Sequence, residues 1–191
     1  LEKVIKKTNF RFDYIDLGGG MGIDYDNSKK FLNLKKYSLS IQKFLKRHDS
    51  KIIFEPGRSI IANSGILISK IIYIKKGYKK DFVILDAAMN DLLRPALYNA
   101  KHQIIPIKKS NKKAIKKYEF VGPICESTDT FLTVKNFQKL NEKEFIIICD
   151  VGAYGMSLSS NYNLRPKALE LLIKNSKIKV IKKRQNLKDL V

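Results

Sequence analysis

Apolar residues in the first 65 positions follow the periods of two strands and one helix. FDYIDL at 12–17 is a short apolar run that enters GGGMG, which predicts a strand followed by a tight loop. Further along, KIIFE at 51–55 predicts a second short buried strand, which ends before a Pro-Gly pair. Between these runs, one helix face is predicted from the apolar residues Tyr37, Ile41, Phe44 and Leu45. Strand, loop, helix and strand in this order predict a βαβ unit of a parallel sheet.

The pattern changes after residue 65 and becomes typical of a β domain. Short runs rich in Ile, Val, Phe and Leu follow one another at 66–74, 81–86, 103–107, 118–122, 131–134 and 145–149. Turn residues separate them, which predicts an antiparallel sheet or barrel. ALELLIKNSKIKVIKKR at 168–184 is compatible with a helix or a hairpin, and its Asn-Ser pair favours the hairpin. We therefore predict an α/β segment over residues 1–65 and a β domain over residues 66–191.

Composition narrows the class of protein. The 191 residues are 44% hydrophobic, enough to bury a core, and no run of 18 apolar residues predicts a membrane span. There is no signal-peptide pattern, and the two cysteines form neither a disulfide framework nor a CxxC zinc motif, so no metal is predicted. A reducing, cytoplasmic compartment is expected. The chain opens with Leu1 and enters a strand almost at once, so we expect upstream sequence.

The positive charge is large but is not concentrated. Lysine and arginine total 38 against 18 aspartate and glutamate, which gives a net charge of +20. Such an excess can mark a nucleic-acid binder. Here most of it is lysine spread along the chain, together with abundant Ile and Asn, as in a general compositional bias. The densest run, at 108–118, is interpreted as a solvated loop, and we predict no nucleic-acid partner.

Two short stretches are candidates for binding an anion. LGGGMGI at 17–23 lacks the glycine that a dinucleotide fingerprint would need at Ile23, and no Gly-Lys-Ser/Thr follows it. Successive glycines nonetheless let backbone N–H groups converge on an anion, although a plain tight turn is an equal alternative. EPGR at 55–58 follows the next parallel strand and is expected beside this loop. There Glu55 contacts a ring nitrogen of a cofactor, or else it caps the strand end or forms a salt bridge.

VGPICESTDTF at 121–131 places a cysteine next to a glutamate. Cys125 is open to three interpretations: a disulfide half, a small core residue, or a reactive thiol beside the carboxylate of Glu126. Neighbouring residues on a strand point to opposite faces, so both side chains can serve one site only from a turn, which Gly122-Pro123 favours. Cys149 in FIIICD is better explained as a buried, inert residue.

Six motifs occur in the order found in a known family. LGGGMGI, EPGRSI, LDAAMNDLLRPALY, GPICES, DVGAYG and SSNYNLRP resemble the pyridoxal-phosphate-dependent diaminopimelate decarboxylases, members of the alanine racemase-like barrel group with ornithine and arginine decarboxylases as relatives. The resemblance runs from about Asp13 to the end. It implies that residues 1–65 are the C-terminal strands of a TIM-type (β/α)8 barrel and that residues 66–191 are an antiparallel β-barrel or sandwich domain.

The resemblance also implies a cofactor site for pyridoxal 5'-phosphate. Glu55 would pair with the pyridine nitrogen and keep it protonated, so that the ring accepts electrons. The phosphate and nearby contacts would come from Gly18, Gly19, Gly20, Pro56, Gly57, Arg58 and Tyr154. The family holds the cofactor covalently through a lysine in a Tyr-Ala-x-Lys-like stretch, which these 191 residues lack. The isolated chain is therefore expected to be inactive.

The substrate contacts implied by the resemblance lie mainly in the β domain. Arg94 and Tyr98 would bind the distal carboxylate, although a surface turn for Arg94 and a core position for Tyr98 are alternatives. Glu126 would take the distal ammonium, and Arg58 and Tyr154 would also touch substrate, with a core position again open for Tyr154. Cys125 would protonate the α-carbon, since thiols ionise at about pH 8.5. The family brings Cys125 and Glu126 from the second subunit of a homodimer, unless Cys125 is an inert core residue.

The implied function is decarboxylation of meso-2,6-diaminopimelate to L-lysine and CO₂, a step of lysine biosynthesis. One alternative is a related decarboxylase acting on a basic amino acid or a carboxylated polyamine. An alternative of another class is a basic nucleic-acid-binding β module, which salt-dependent DNA retention at one lysine cluster would favour.

Overall fold

The computed structural model of the protein describes residues 2–8, 10–25, 28 and 31–190. They form two compact units, Leu1–Ala62 and Asn63–Val191. The first unit contains α1 (Glu2–Thr8), β1 (Tyr14–Asp16), α2 (Leu34–Leu45), β2 (Lys51–Ile53) and α3 (Arg58–Ile61). The second contains β3 (Leu67–Lys75), β4 (Lys80–Leu85), α4 (Arg94–Tyr98), β5 (Ile104–Pro106), β6 (Lys117–Val121), β7 (Thr130–Val134), β8 (Phe145–Ile148), β9 (Glu170–Lys174) and β10 (Lys177–Lys182). Short 3₁₀ turns lie at Ala62–Ser64, Met156–Leu158, Tyr162–Leu164 and Leu187–Asp189.

The first unit has the strand, helix and strand that the sequence predicted. β1 and β2 pair in parallel, with Ile15 opposite Ile52. Helix α2 begins after Asn33, whose side chain accepts a hydrogen bond from the N–H of Lys36 at 2.9 Å and so caps the helix. The βαβ prediction is confirmed for this unit.

Little of the first unit is buried. Among the residues described there, Ile15 and Ala62 are the only hydrophobic ones that are buried, and large apolar side chains such as Phe31, Leu34 and Ile60 are exposed. Two strands cannot bury a core by themselves, because a stable sheet needs three or more strands with a covered apolar face. The unit thus has apolar surface that its own residues do not cover.

The second unit is built around a six-stranded sheet in the order β5-β8-β3-β4-β6-β7. Its pairings are antiparallel except that of β4 with β6, which is parallel. The prediction of antiparallel strands is therefore wrong at one pairing, and the sheet is mixed. Parallel neighbours need a long crossover, and the connection over 86–116, which includes α4 and β5, supplies it.

One face of this sheet carries the core. Buried and more exposed positions alternate along β4 and β6, as a half-covered sheet requires. The fully buried apolar residues on these and neighbouring strands are Ile71, Val83, Leu85, Phe120, Ile146 and Ile148. Phe120 and Phe137 pack edge to face, with ring centroids 5.4 Å apart, and this aromatic contact extends the core beyond the strands.

The ambiguous segment near the C-terminus forms a hairpin. β9 and β10 pair antiparallel through a two-residue turn, and both turn residues, Asn175 and Ser176, have positive φ, at 49° and 62°. Positive φ at both positions is the geometry of a type I′ turn, which matches the twist of the flanking strands. The hairpin prediction is confirmed. No helix within the described part of the chain is long and apolar enough to cross a membrane.

Candidate active site

The glycine loop and the EPGR turn lie side by side in the first unit. Because β1 and β2 are parallel, their carboxyl ends meet at one edge of the sheet. The N–H of Leu17 donates to the carbonyl of Ile53 at 3.0 Å, and the N–H of Glu55 donates to the carbonyl of Gly18 at 2.9 Å. The predicted adjacency of the two stretches is confirmed.

Glycine is required in this loop for two separate reasons. Gly18 and Gly20 have φ of 65° and 76°, which L side chains rarely adopt. At Gly19 the reason is steric, since an added Cβ would lie 2.3 Å from the carbonyl oxygen of Glu55. The N–H of Gly18 donates to Asp16 Oδ1 at 2.7 Å, so an anion at this loop would be bound by the amides that follow. The loop is a backbone cradle pressed against the EPGR turn.

The EPGR turn adds charge next to the cradle. Glu55 is exposed just beyond β2, and the half-buried Arg58 begins α3 after Gly57. None of the ion pairs found among the described residues involves Glu55. The salt-bridge alternative for Glu55 therefore has no support in this part of the chain. Backbone amides, a guanidinium and a carboxylate together suit a ligand with a phosphate and a basic ring nitrogen.

Arg94 and Tyr154 meet in the second unit. Arg94 opens α4 and is only 4% exposed, so the surface-turn alternative is wrong. Its guanidinium carbon lies 5.6 Å from the centre of the Tyr154 ring, which is a cation–π arrangement. Tyr98 and Tyr154 are 64% and 47% exposed, so neither is a core aromatic. A buried cation packed under an exposed tyrosine is compatible with carboxylate binding.

Cys125 and Glu126 lie on the turn between β6 and β7. Cys125 is a free, exposed thiol, which rules out both the disulfide and the inert-core interpretations within the described chain. The N–H of Glu126 donates to the carbonyl of Ile124 at 2.8 Å, so the backbone here forms a tight turn and not a strand. The side chains of Cys125 and Glu126 are therefore not forced to opposite faces, as they would be on a strand. Cys149 is free and only half-buried, so the prediction that it is buried is not confirmed. Burial nonetheless raises the pKa of its thiol, which lowers its reactivity.

The buried carboxylate of Asp129 holds this turn. Its Oδ1 accepts the N–H of Met89 at 2.7 Å and its Oδ2 accepts the N–H of Ile124 at 2.8 Å. Burial raises the pKa of the Asp129 carboxyl, while the bonds from the two backbone N–H groups act in the opposite direction. The turn is thus fastened to a second loop that precedes α4.

A second contact reaches Glu126 from the segment SSNYNLRP. The hydroxyl of Tyr162 donates to Glu126 Oε1, and this hydrogen bond raises the pKa of Tyr162. The segment is anchored by Arg165, whose Nε donates to Asn90 Oδ1 at 2.9 Å and whose Nη2 donates to the carbonyl of Asp86 at 2.5 Å. Glu126 is therefore oriented by a side chain from another part of the sequence.

Sequence reasoning gave no role to several residues that organise this site. Asp129, Tyr162, Arg165 and Asn90 all lie inside or next to the motifs quoted above. Their positions within those motifs were a signal. Each of them, however, also has a partner at least 36 residues away, and spacing along the chain does not identify such partners. Only the tertiary structure assigns them.

A glycine loop at the end of two parallel strands, followed by a mixed-sheet domain that presents a thiol and a carboxylate, is compatible with a cofactor-dependent enzyme domain. The chain belongs to the pyridoxal-dependent decarboxylases: the sequence pattern described as "Pyridoxal-dependent decarboxylase, C-terminal sheet domain" matches residues 12–152. This confirms the family resemblance. The sheet domain of that description is the part seen here.

Within this family the chain is similar to diaminopimelate decarboxylases. It is 48% identical over 177 residues to the enzyme of that name from Helicobacter pylori, covering 93% of this chain and 44% of the relative. The diaminopimelate decarboxylase of Aquifex aeolicus is 39% identical over 186 residues, covering 97% of this chain and 44% of the relative. The crystal structure of the Helicobacter pylori enzyme complexed with L-lysine superimposes with a TM-score of 0.84 at 46% identity, over 99% of this chain and 46% of that one. The chain thus spans less than half the length of these relatives.

Proposed function

We propose that the protein takes part in the pyridoxal-phosphate-dependent decarboxylation of meso-2,6-diaminopimelate to L-lysine and CO₂. The observation that carries the proposal is the 48% identity to a diaminopimelate decarboxylase across 93% of the chain. The exposed Cys125 and Glu126 on one turn support it, because a thiol can donate a proton and a carboxylate can bind an ammonium group. Because relatives at this identity are named for diaminopimelate, we favour it over ornithine, arginine or a carboxylated polyamine.

The residues of the first unit fit pyridoxal phosphate. When bound, the cofactor accepts the electron pair that is left as CO₂ departs. Gly18, Gly19 and Gly20 would form the phosphate cradle, since a side chain at the middle glycine would collide with the neighbouring turn. Pro56, Gly57 and Arg58 would complete the phosphate side, and the family resemblance also implies a phosphate contact for Tyr154. Glu55 would hold a proton on the ring nitrogen.

The residues of the second unit would bind the substrate and move the proton. Arg94 would bind the distal carboxylate as a charged donor, with Tyr98 adding a hydroxyl. Glu126 would accept hydrogen bonds from the distal ammonium, which distinguishes diaminopimelate from substrates without that group. Cys125 would deliver the proton of its Sγ to the α-carbon after the bond to the carboxylate breaks, and the thiolate would regain a proton from solvent.

Three finer statements complete the proposal. We propose that residues 1–65 supply the last strands of a (β/α)8 barrel and residues 66–191 the β domain, supported by the parallel β1–β2 pair and the uncovered apolar surface beside it. We propose a homodimer in which Cys125 and Glu126 serve the partner's site. A cytoplasmic setting suits an exposed free thiol.

The test uses the full-length protein with pyridoxal phosphate. CO₂ release should be measured from meso-diaminopimelate, L-lysine, L-ornithine and L-arginine, and only the first should react at an appreciable rate. Glu126→Gln should lower kcat/KM for diaminopimelate, whereas Glu142→Gln, an exposed glutamate elsewhere in the second unit, should not. Faster reaction of ornithine or arginine than of diaminopimelate would overturn the proposed substrate.

A further inference from the structure

We propose that Asp129 is a positioning residue that presents Cys125 and Glu126 to the substrate by fastening their turn to the loop that leads into Arg94. The inference rests on the proposed function, because that function gives Cys125 and Glu126 their roles at the substrate. Asp129 itself does not touch substrate in this proposal. It acts through the backbone of both segments.

The hydrogen bonds of Asp129 close the turn on itself. Its side chain accepts the N–H of Ile124, and its own N–H donates to the carbonyl of Glu126 at 3.1 Å. Its carbonyl accepts the N–H of Gly122 at 3.0 Å. Cys125 lies between residues that are both bonded to Asp129, so its backbone is held from each side.

The second oxygen of the same carboxylate reaches a different loop. Oδ1 accepts the N–H of Met89, which is 40 residues away in sequence. That loop is ordered in its own right, because the N–H groups of Asp91 and Leu92 donate to the carbonyl of Ala88, and Leu92 is fully buried. Arg94 follows directly at the start of α4. One carboxylate therefore sets the distance between the Arg94 segment and the Cys125–Glu126 turn.

The chemistry of the site calls for a carboxylate. Asp129 is 3% exposed, so water cannot replace a missing partner for the two N–H groups. An aspartate offers an acceptor oxygen to each N–H, whereas an asparagine offers one oxygen and turns an NH₂ group towards the other donor. The fit is also tight, since a Cβ on Gly122 would lie 2.2 Å from Asp129 Oδ2. Both the charge type and the volume at this position are constrained.

Asp129→Asn in the full-length protein tests the proposal, with Asp81→Asn as the matched control. Asp81 is also buried and also accepts a backbone N–H, that of Gly77 at 3.3 Å, but it lies at the start of β4. In Asp129→Asn we expect amide hydrogen exchange at Ile124 or Met89 to accelerate at least about tenfold, since one charged hydrogen bond is lost. We also expect a changed rate of Cys125 alkylation by iodoacetamide and a lower kcat with diaminopimelate.

The control separates positioning from general stability. Asp81→Asn should lower the unfolding midpoint but leave the exchange rates at Ile124 and Met89, the Cys125 alkylation rate and kcat unchanged. If Asp129→Asn behaves like Asp81→Asn, or if it changes exchange while kcat stays at the wild-type value, the proposal is wrong. Exchange and alkylation do not depend on turnover, so a wild-type protein that fails to decarboxylate diaminopimelate refutes the proposed function alone.

Two further measurements test the proposal even if Asp129→Asn does not fold. Gly122→Ala pushes on the same carboxylate from the other side and should reproduce the exchange and alkylation changes. In the wild-type protein, the Ile124 amide should exchange much more slowly than the amide of Ser127, an exposed residue on the same turn. Equal exchange at these two amides would overturn the inference without any variant.

Discussion

Gly19→Ala should weaken pyridoxal phosphate binding by crowding the glycine loop against the EPGR turn. The new Cβ would lie 2.3 Å from the carbonyl oxygen of Glu55 and 3.3 Å from its carbonyl carbon, and the oxygen belongs to rigid backbone. Ordinary van der Waals contact needs more than an ångström of further separation, so the loop must move or the hydrogen bond between Glu55 N–H and the Gly18 carbonyl must stretch. Overpacking of this kind costs roughly 1–3 kcal/mol.

That cost sets the expected change in affinity. If it is expressed fully in cofactor binding, the dissociation constant rises roughly 5- to 150-fold. Gly20→Ala meets no atom within 4 Å but would force a side chain into φ of 76°, which costs about 1–2 kcal/mol. Gly22→Ala has neither problem and is the matched control. We therefore expect the largest loss of cofactor affinity in Gly19→Ala or Gly20→Ala and almost no loss in Gly22→Ala.

The assay is titration of the full-length apoprotein with pyridoxal phosphate, followed by absorbance, alongside thermal unfolding without cofactor. The unfolding data show how much of the free-energy cost of each substitution lowers the stability of the apoprotein and how much lowers cofactor affinity. The reasoning is refuted if Gly19→Ala binds the cofactor as tightly as Gly22→Ala while folding equally well. It is also refuted if Gly22→Ala is the weakest binder of the three.

Four further predictions concern the second unit. Cys125→Ala should lower kcat roughly 10²- to 10⁴-fold with a smaller effect on KM, as for loss of a general acid, and a change confined to KM in steady-state kinetics would exclude that role. Arg94→Ala should raise KM for diaminopimelate by a factor that corresponds to roughly 1.5–3 kcal/mol, because a charged hydrogen bond is lost. Tyr98→Phe should raise KM less, and an unchanged KM in both variants would refute the distal-carboxylate site. Burial lowers the pKa of His102, so its contribution to the free energy of unfolding should be level above about pH 6.5 and fall as the pH drops below it. Urea unfolding of His102→Gln should show a smaller decline over that pH range, and an equal decline in both proteins would contradict the role of His102. Ser176→Gly should raise the stability of the β9–β10 hairpin by up to about 1 kcal/mol, because φ of 62° suits glycine, and a lower unfolding midpoint would contradict the turn geometry.

Local structure followed closely from the amino-acid sequence. The periods of apolar residues identified β1, α2, β2 and the strands of the second unit, because side-chain alternation and helical spacing are local properties of the backbone. The hairpin was recognisable at Asn175-Ser176, since few residues tolerate positive φ. Six motifs in order also identified the family, because residue types and their order can be compared directly along the chain.

The direction of one strand pairing was not predictable from the same pattern. Alternating burial along β4 and β6 is identical whether the neighbour runs parallel or antiparallel, so periodicity could not reveal the parallel pair. The long connection between these strands was a clue, but its length is equally compatible with other paths. The packing of the whole sheet decided the topology.

The arrangement of the site was decided at the same level. The sequence showed that Cys125 and Glu126 are neighbours, but not that Asp129 accepts an N–H from Met89, 40 residues away, or that Tyr162 donates to Glu126 across 36 residues. It contained Arg94 without indicating that the residue is buried under Tyr154. Such contacts depend on which loops meet in space, and a carboxylate or guanidinium can satisfy many partners equally well. Residue types therefore determined which chemistry was possible, and only the folded chain determined which of these groups lie close together.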